Sequence, residues 1–489
     1  MRPHSSPPGT DAMGQQLQRR QIDNPQTEAE RVFKLQQDAA RALPYPPLAQ
    51  RLDWLQRLER LLTDHADAIA DAIATDFGHR NPTETKLVEI FGSLTAIRDT
   101  RKHLKGWMRP QKRKTSVLFL TGSNRVIPQP KGVIGISTPW NYPLYLSIGP
   151  VINGLAAGNR CLVKLAANSQ NLCRLMQRLC RDAFGDDTLA YVPGLPATEF
   201  SSLPFDHIVY TGSAESGRTV MHAAAENLCP VTLELGGKSP TIIGDDFDLE
   251  EAASRLLYGK FVNAGQTCVA PDYLFVPRAK VEQFVACAGT IMRQRYPDIA
   301  NNDYTSIIDA KSYQRLRATL DDAIAKGARA VNLVDGDYHE ELRKIPPQLV
   351  LDVTPEMRIA REEIFGPLLT VLPYDTIDEV IGHINAGERP LALYLFTNDT
   401  GLQQRVLYET LSGGVTINHC IFHVLQHSIP FGGVGASGMG HYHGHDGFLE
   451  MSKLRPVFTF PKVGRPELFY PPYGKSHDLV YRVLNRLKL

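Results

Sequence analysis

Apolar positions in the first third of the chain recur at steps of three and four. Leu48, Leu52, Leu55, Leu58, Leu62, Ala66, Ile69 and Ile73 form one stripe, which predicts a single long amphipathic helix. A second helical stretch is expected from about Pro82 to Trp107, and Ser116 to Val126 reads as extended and exposed. From Gly132 the pattern changes. Short apolar runs at Gly132–Ser137, Cys161–Leu165, Ala190–Val192 and His207–Tyr210 alternate with helical stretches. Strands buried on both faces read as continuous apolar runs, and the helices between them predict a parallel, doubly wound sheet. Val231–Leu235 and Thr241–Ile243 read as strands leaving that sheet. A second α/β series begins beyond Asp248. Its expected helices are Glu250–Val262, Val281–Arg293, Ser312–Lys326 and Ile377–Asn385, with strands near Leu349, Leu369, Leu393 and Val415. The fold class is therefore α/β, with two doubly wound domains and a crevice between them, the default place for small ligands.

Composition narrows the function classes. A chain of 489 residues exceeds one ordinary hydrophobic core. Its net charge of +1, from 53 basic and 52 acidic residues, supplies no global field for nucleic acid or an anionic membrane. No apolar run approaches the roughly 20 residues of a bilayer span, so no membrane anchor is expected. Met1 to Arg20 lacks the apolar segment of a signal peptide and is read as a disordered tail. A short C-terminal helix, Leu479–Leu489, is expected to dock its Leu479, Val483 and Leu487 stripe on the protein. The seven cysteines are scattered, never closer than seven positions. That excludes CxxC zinc pairs and a disulfide framework, and fits a reducing, cytoplasmic setting.

The candidate chemistry lies in a few short segments. Phe261-Val-Asn-Ala-Gly-Gln-Thr-Cys268-Val-Ala-Pro-Asp272 places a cysteine in a Gly-containing turn after a helix. Upstream are Leu233-Glu234-Leu-Gly-Gly-Lys-Ser-Pro240 and Pro139-Trp-Asn141-Tyr-Pro143. With Tyr210-Thr-Gly212-Ser213, Glu362-Glu363-Ile-Phe365-Gly-Pro367 and Pro430-Phe-Gly-Gly-Val-Gly435, they resemble the signature segments of the NAD(P)-dependent aldehyde dehydrogenase superfamily. Order and spacing match, including the 34-residue step from Glu234 to Cys268. The likeness covers about residues 30 to 455.

The resemblance implies a chemistry that explains these residue types. An aldehyde carbon cannot release hydride until a nucleophile adds to it, and a thiolate is the strongest side-chain nucleophile near neutral pH. Cys268 takes that role by resemblance. Its thiohemiacetal oxyanion needs fixed donors, supplied by the Asn141 amide and the Cys268 backbone N–H. Glu234 is the general base that activates water against the resulting thioester. Tyr210-Thr-Gly212-Ser213-Ala-Glu-Ser-Gly217 reads as a strand running into a helix N-terminus, suited to a pyrophosphate. It resembles the family's cofactor turn, so Gly212, Ser213 and Gly217 are candidate cofactor residues. Glu363 and Phe365 match positions that fix the nicotinamide ribose and pack beside the ring, and Lys164 matches a conserved cofactor lysine. The implied cofactor is NAD or NADP.

Three features read as decoys or departures. A literal GxGxxG at Gly433–Gly438 lacks strand–turn–helix context and is not read as a nucleotide site; by resemblance it lines the active-site entrance. His441, His443 and His445 alternate, yet the chemistry needs no metal, and none is assigned. In Lys164-Leu-Ala-Ala167 the family usually carries Lys-Pro-Ser/Ala-Glu, so the acid that holds the adenosine ribose is missing here.

Gly438-Met-Gly440 before Tyr442-His443-Gly444, with Pro471-Pro-Tyr-Gly474, is similar to the fatty and aromatic aldehyde branch, nearest the bacterial coniferyl aldehyde dehydrogenases. That implies an aromatic substrate such as coniferaldehyde, or a medium-chain aliphatic aldehyde, and a homodimer. The expected division is a tail (1–26), an NAD(P)-binding domain (27–115 and 131–240), a catalytic domain (241–414), an oligomerisation flap of β structure (116–130 and 415–460) and a C-terminal tail (461–489). Two other classes use the same parts: a cysteine-dependent thioesterase or acyltransferase, and an inactive binding protein on this scaffold. The first normally needs a histidine base, and none lies near Cys268 in sequence. The second would be expected to lose Cys268, Glu234 or Asn141.

Overall fold

The computed structural model describes residues 25–116, 119, 121–460 and 469–486. Most of the expected N-terminal tail, and Leu487 of the C-terminal stripe, lie outside them. Among the described residues three sheets organise the fold. The first contains, in spatial order, Gly438–Met439, Val231–Leu235, His207–Gly212, Val133–Thr138, Arg160–Leu165 and Leu189–Tyr191. Every neighbouring pair is parallel except the first. Val231–Leu235 thus stays in the first sheet, contrary to its sequence reading, because strand order depends on crossovers that an apolar pattern does not encode. Helices cover both faces. Leu55, Leu58, Leu62, Ile69 and Ile73 pack with Ile134, Ile136 and Val163 on one side, and Val32, Phe33 and Val220 with Val133 and Leu162 on the other.

The long first stripe belongs to two helices, Leu48–Asp64 and Ala66–Phe77, separated at His65 (φ −117°, ψ 21°). Neither glycine nor proline marks that break, so the periodicity runs through it. Arg51 is fully buried on the core side of the first helix. Its guanidinium donates to the Ala156 and Ala157 carbonyls at 3.0 and 2.7 Å. Those carbonyls end helix Tyr145–Ala157, where orphan acceptors and the negative dipole end favour a cation.

The second sheet runs Arg329–Asn332, Gln348–Leu351, Leu368–Tyr374, Pro271–Pro277, Ser239–Ile243, Ala392–Phe396 and Gly414–Ile417, parallel except at Arg329–Asn332. Helices Leu249–Phe261, Val281–Arg295 and Ala310–Ala325 pack into its main core, while Val380, Ile384 and Val406 cover part of the opposite face. The third sheet is small and antiparallel: Gln111–Arg113, Ser123–Pro130 and Ser452–Thr459. Helix Lys475–Arg486 does not seat its stripe as expected. Leu479 is 62% and Val483 49% exposed.

This topology creates the cleft. The first sheet's strands leave Val133–Thr138 in opposite lateral directions, with Arg160–Leu165 on one flank and His207–Gly212 on the other. Such a switch point opens a crevice outside the carboxyl ends of the strands. Pro139, Trp140 and Asn141 follow one of these ends and Ser213 the other.

Candidate active site

A cleft of about 390 Å³ opens at this switch point, within the usual range for small-ligand sites. It is lined by Asn141, Gly212, Ser213, Glu234, Cys268, Glu363 and Phe365, together with Trp140, Thr211, Gly236, Ser312 and Arg315. The first sheet contributes its carboxyl-end loops. The second contributes the segments that run into its strands Pro271–Pro277 and Leu368–Tyr374. Lys164 and Gly217, the other two candidates, are not among the lining residues. Lys164 is nearly buried on strand Arg160–Leu165. Gly217 lies one turn into helix Ala214–Glu226, where an added Cβ would sit 3.0 Å from Leu235, so its smallness brings helix and strand together.

The cysteine turn is strained and tied down. Asn263, Ala264 and Gly265 take successive left-handed conformations (φ 53°, 51° and 75°), which side chains other than glycine rarely adopt. At Gly265 an added Cβ would meet the Gly366 carbonyl at 2.3 Å. Gln266 holds the turn by donating to Asn263 and Ser306 carbonyls at 3.0 and 3.1 Å and accepting from Ile308 N–H at 2.9 Å. The turn also locks onto the loop opposite. Asn263 Nδ2 donates to Asn141 O at 3.0 Å, and Asn141 Nδ2 to Gln266 O at 3.2 Å. Tyr142 and Thr267 hydroxyls meet at 2.8 Å.

A buried ion pair supports the Asn141 loop from behind. Arg80 and Glu89 are both fully buried and meet at 2.9 Å. Glu89 Oε2 accepts the N–H groups of Leu144 and Tyr145 at 2.8 and 3.0 Å, while Arg80 donates to Asn141 O at 3.1 Å. Glu89 projects from a π-helical turn, Lys86–Ile90, inside the predicted second helix; such turns recur where a side chain is re-aimed for function. Removing one partner of a buried pair typically costs about 3–5 kcal/mol.

Electrostatics set the cleft apart. Glu234 is 2% exposed, and neither carboxyl oxygen has a hydrogen-bond partner. Burial holds its pKa well above the carboxylate range. Burial, then the carboxylates of Glu363 and Glu234, push the Cys268 thiol up to about 12. Burial and the neighbouring Asp272 push Glu363 up to about 7. Unpartnered buried acids are costly, and they cluster where a reaction uses them. Asn141 Oδ1 is unpartnered too.

The cleft fits a dinucleotide. Helix Ala214–Glu226 starts beside it, capped by Ser213, whose hydroxyl accepts Ser216 N–H at 3.3 Å. Its free N–H groups suit a pyrophosphate. An added Cβ at Gly212 would meet the Tyr210 hydroxyl oxygen at 2.3 Å, and one at Gly236 would meet Glu363 Oε2 at 2.2 Å. Both positions are therefore glycine because the Tyr210 and Glu363 side chains occupy the space a Cβ would take. The Gly433–Gly438 loop forms no nucleotide turn. Gly438 pairs across from Glu234, so this loop abuts the acid. His443 is buried among aromatic rings, stacked on Phe431, and pushed down to about 3 by burial. Among the described residues no group of three or more His, Cys, Asp or Glu is placed to hold a metal ion.

Thr211, Gly236, Ser312 and Arg315 were not singled out by sequence. Thr211 and Gly236 sat inside quoted motifs, so adjacency was a usable signal. Ser312 and Arg315 lie on helix Ala310–Ala325, where no local pattern separates them from an ordinary helical face.

Fold and cleft define the class: an α/β enzyme whose two parallel sheets enclose a thiol, a buried carboxyl and an amide. The chain belongs to the aldehyde dehydrogenase family, whose model matches residues 12–457. The probable coniferyl aldehyde dehydrogenase of Pseudomonas aeruginosa is 47% identical over 474 residues, covering 96% of this chain and 98% of that one. The coniferyl aldehyde dehydrogenase of a Pseudomonas species, strain HR199, is 41% identical over 448 residues, 90% of this chain and 92% of its own. Among solved structures, substrate-bound AldH of Staphylococcus aureus superposes with a TM-score of 0.86 at 34% identity, covering 93% of this chain and 99% of that one. The protein is an aldehyde dehydrogenase that uses NAD or NADP. Among the described residues no helix is long and apolar enough to cross a membrane.

Proposed function

We propose that the chain oxidises aromatic aldehydes of the coniferaldehyde class to carboxylic acids, with Cys268 as nucleophile, Asn141 as oxyanion donor and Glu234 as general base. The observation that carries this is the single cleft holding all three, with the Glu234 carboxyl buried and unpartnered. The Cys268 thiol first loses its proton to water. Its Sγ, as the thiolate, then adds to the carbonyl carbon, and the oxygen gains negative charge opposite the Asn141 amide and the Cys268 N–H. The nicotinamide cofactor, when bound, supplies the hydride acceptor. Loss of hydride leaves a thioester on Cys268. Glu234 then takes a proton from water as its oxygen attacks the thioester carbonyl, and the acid departs as the C–S bond breaks. Glu363, at the cleft wall beside Gly236, would hold the nicotinamide ribose, and Phe365 would pack beside the ring. Trp140 and Phe365, edge to face at 5.5 Å, give the cleft aromatic walls. The relatives named for coniferyl aldehyde support the aromatic class over medium-chain aliphatic aldehydes.

The test follows NAD(P)H absorbance with coniferaldehyde, benzaldehyde and hexanal, with and without coenzyme A. Higher kcat/KM for coniferaldehyde, with free acid formed either way, is expected. A preference for hexanal overturns the aromatic reading, and an acyl-coenzyme-A product overturns the role of Glu234.

The domain division set out from sequence is kept in this proposal with its bounds moved to the sheets. Strands Ser239–Ile243 and Gly414–Ile417 go with the second sheet, Gln111–Arg113 with the third and Gly438–Met439 with the first. A cytoplasmic homodimer is kept as well. The three-stranded sheet exposes Leu454 and Phe458, an apolar face suited to a second copy. All seven cysteines are free, which fits a reducing compartment; cell fractionation tests that. Light scattering should give twice the 54.4 kDa chain mass, and a monomer would overturn the dimer.

Ala167 makes cofactor choice testable. It is exposed just beyond strand Arg160–Leu165, at the position where the family resemblance leads one to expect an acid. A carboxylate there accepts ribose hydroxyl hydrogen bonds and repels a 2′-phosphate. Without it NAD loses a bond worth about 1.5–3 kcal/mol, and NADP escapes the repulsion. NADP is therefore expected to serve at least as well as NAD. Ala167→Glu should shift the kcat/KM ratio toward NAD by about tenfold or more, since 1.4 kcal/mol is one decade. A wild type that already selects NAD a hundredfold, unmoved by the glutamate, would place ribose recognition elsewhere.

A further inference from the structure

Two charged residues repeat the spacing of the cleft's chemistry. Lys238 follows Glu234 by four positions, and Asp272 follows Cys268 by four. Their side chains meet as an ion pair, with Asp272 only 3% exposed. Both then turn to one segment, the stretch that carries Glu363 and Phe365. The second oxygen of Asp272 accepts Ile364 N–H at 2.8 Å. Lys238 Nζ donates to the Ile359 and Glu362 carbonyls at 2.9 and 3.0 Å. Arg315 donates to Ile364 O at 2.8 Å.

That segment needs holding. Phe365 sits at φ 47°, a left-handed conformation that persists for a bulky residue only when its surroundings over-determine it. Glu363 is crowded against Gly236 and accepts Gly237 N–H, so its carboxyl has little room to relocate. Lys260, also buried, faces Asp272 and Glu363 from helix Leu249–Phe261; burial lowers its pKa to about 8 and those acids oppose the shift. The result is a set of charges, Lys238, Lys260 and Arg315 against Asp272 and Glu363, around one backbone segment, with the Arg358–Glu362 pair at its outer edge.

We propose that Lys238 and Asp272 are a positioning pair for the cofactor. They fix Glu363 and Phe365 in register with Glu234 and Cys268, because the pair is anchored on the same two chain segments that carry those residues. The inference rests on the reading of Glu363 as the nicotinamide-ribose ligand. Neither Lys238 nor Asp272 lines the cleft, so their effect reaches the reaction through the segment they hold. Losing the pair should therefore weaken the cofactor and spare the aldehyde.

The test compares Asp272→Ala, Asp272→Asn and Lys238→Met with Glu363→Gln. Fluorescence titration with NAD and with NADP gives the cofactor Kd without turnover, and steady-state rates give KM for cofactor and aldehyde separately. Asp272→Ala is expected to raise cofactor Kd and KM at least tenfold while aldehyde KM stays within twofold. Asp272→Asn, whose amide oxygen can still accept from Ile364, should lie between it and wild type. This variant carries the test if the alanine protein does not fold. Adding Lys238→Met to Asp272→Ala should weaken the cofactor little further, because members of one network are not additive. Cofactor and aldehyde KM rising in step would reduce the pair to a structural role and overturn the proposal. So would an unchanged cofactor Kd in Asp272→Ala while Glu363→Gln weakens binding. If Glu363→Gln itself leaves cofactor Kd unchanged, it is the ribose reading that fails, and the two failures are distinguished.

Discussion

Cys268→Ala should leave less than about 1% of wild-type turnover while the protein folds and binds its cofactor normally. Enzymes commonly accelerate their reactions by about 10⁶-fold or more, and an aldehyde cannot lose hydride until a nucleophile has added to it. Cys268 is the thiol of the cleft. Cys161, Cys173, Cys180 and Cys420 are buried in apolar cores, where burial raises their thiol pKa values. None of them stands ready to substitute. Removing one sulfur from a half-buried turn residue leaves the Gln266 and Asn263 hydrogen bonds intact, so the melting temperature should barely move. Assays of purified variant with saturating aldehyde and cofactor, paired with a cofactor titration, decide the matter. Residual turnover above about 1% would remove Cys268 from the mechanism.

How much of this could be read from sequence depends on which physical signal each part leaves. Strands buried on both faces carry near-continuous apolar runs, so Val133–Thr138, Arg160–Leu165 and His207–Gly212 stood out to within one or two residues. Where Val231–Leu235 pairs is a property of the crossover, not of the strand, and it was misplaced. Helix Thr400–Glu409 buries only Val406 and so has no stripe to find. The break at His65 interrupts hydrogen bonding without interrupting periodicity. In the cleft, Cys268, Glu234, Asn141, Glu363 and Phe365 were legible because motif and spacing travel together. Arg315 was not, since it reaches the Glu363 segment from 49 positions away in sequence. The Lys238–Asp272 pair joins two recognised motifs, yet neither motif announces that their charged ends meet.

Glu234→Gln should slow steady-state turnover by about 10²-fold or more, the usual range for a lost general base, and do so at one step. The carboxyl is buried with both oxygens unpartnered, and a glutamine of nearly the same shape fills that space without the ability to accept a proton. Thiolate addition and hydride loss do not require this proton transfer from water, so rapid mixing should show a burst of NAD(P)H close to one per active site. A slow phase set by thioester hydrolysis should follow. The pH dependence supplies an independent sign. Burial raises the Glu234 pKa, so the carboxyl is neutral at low pH and becomes the competent base only as pH rises through that raised value. Wild-type deacylation should accelerate with pH across that interval, well above the ordinary carboxylate range, and the glutamine variant should lose this dependence. If the burst disappears together with steady-state turnover, Glu234 acts before hydride transfer. The natural step is then generation of the Cys268 thiolate, because that thiol lies at about 12 and needs a base to ionise near neutral pH.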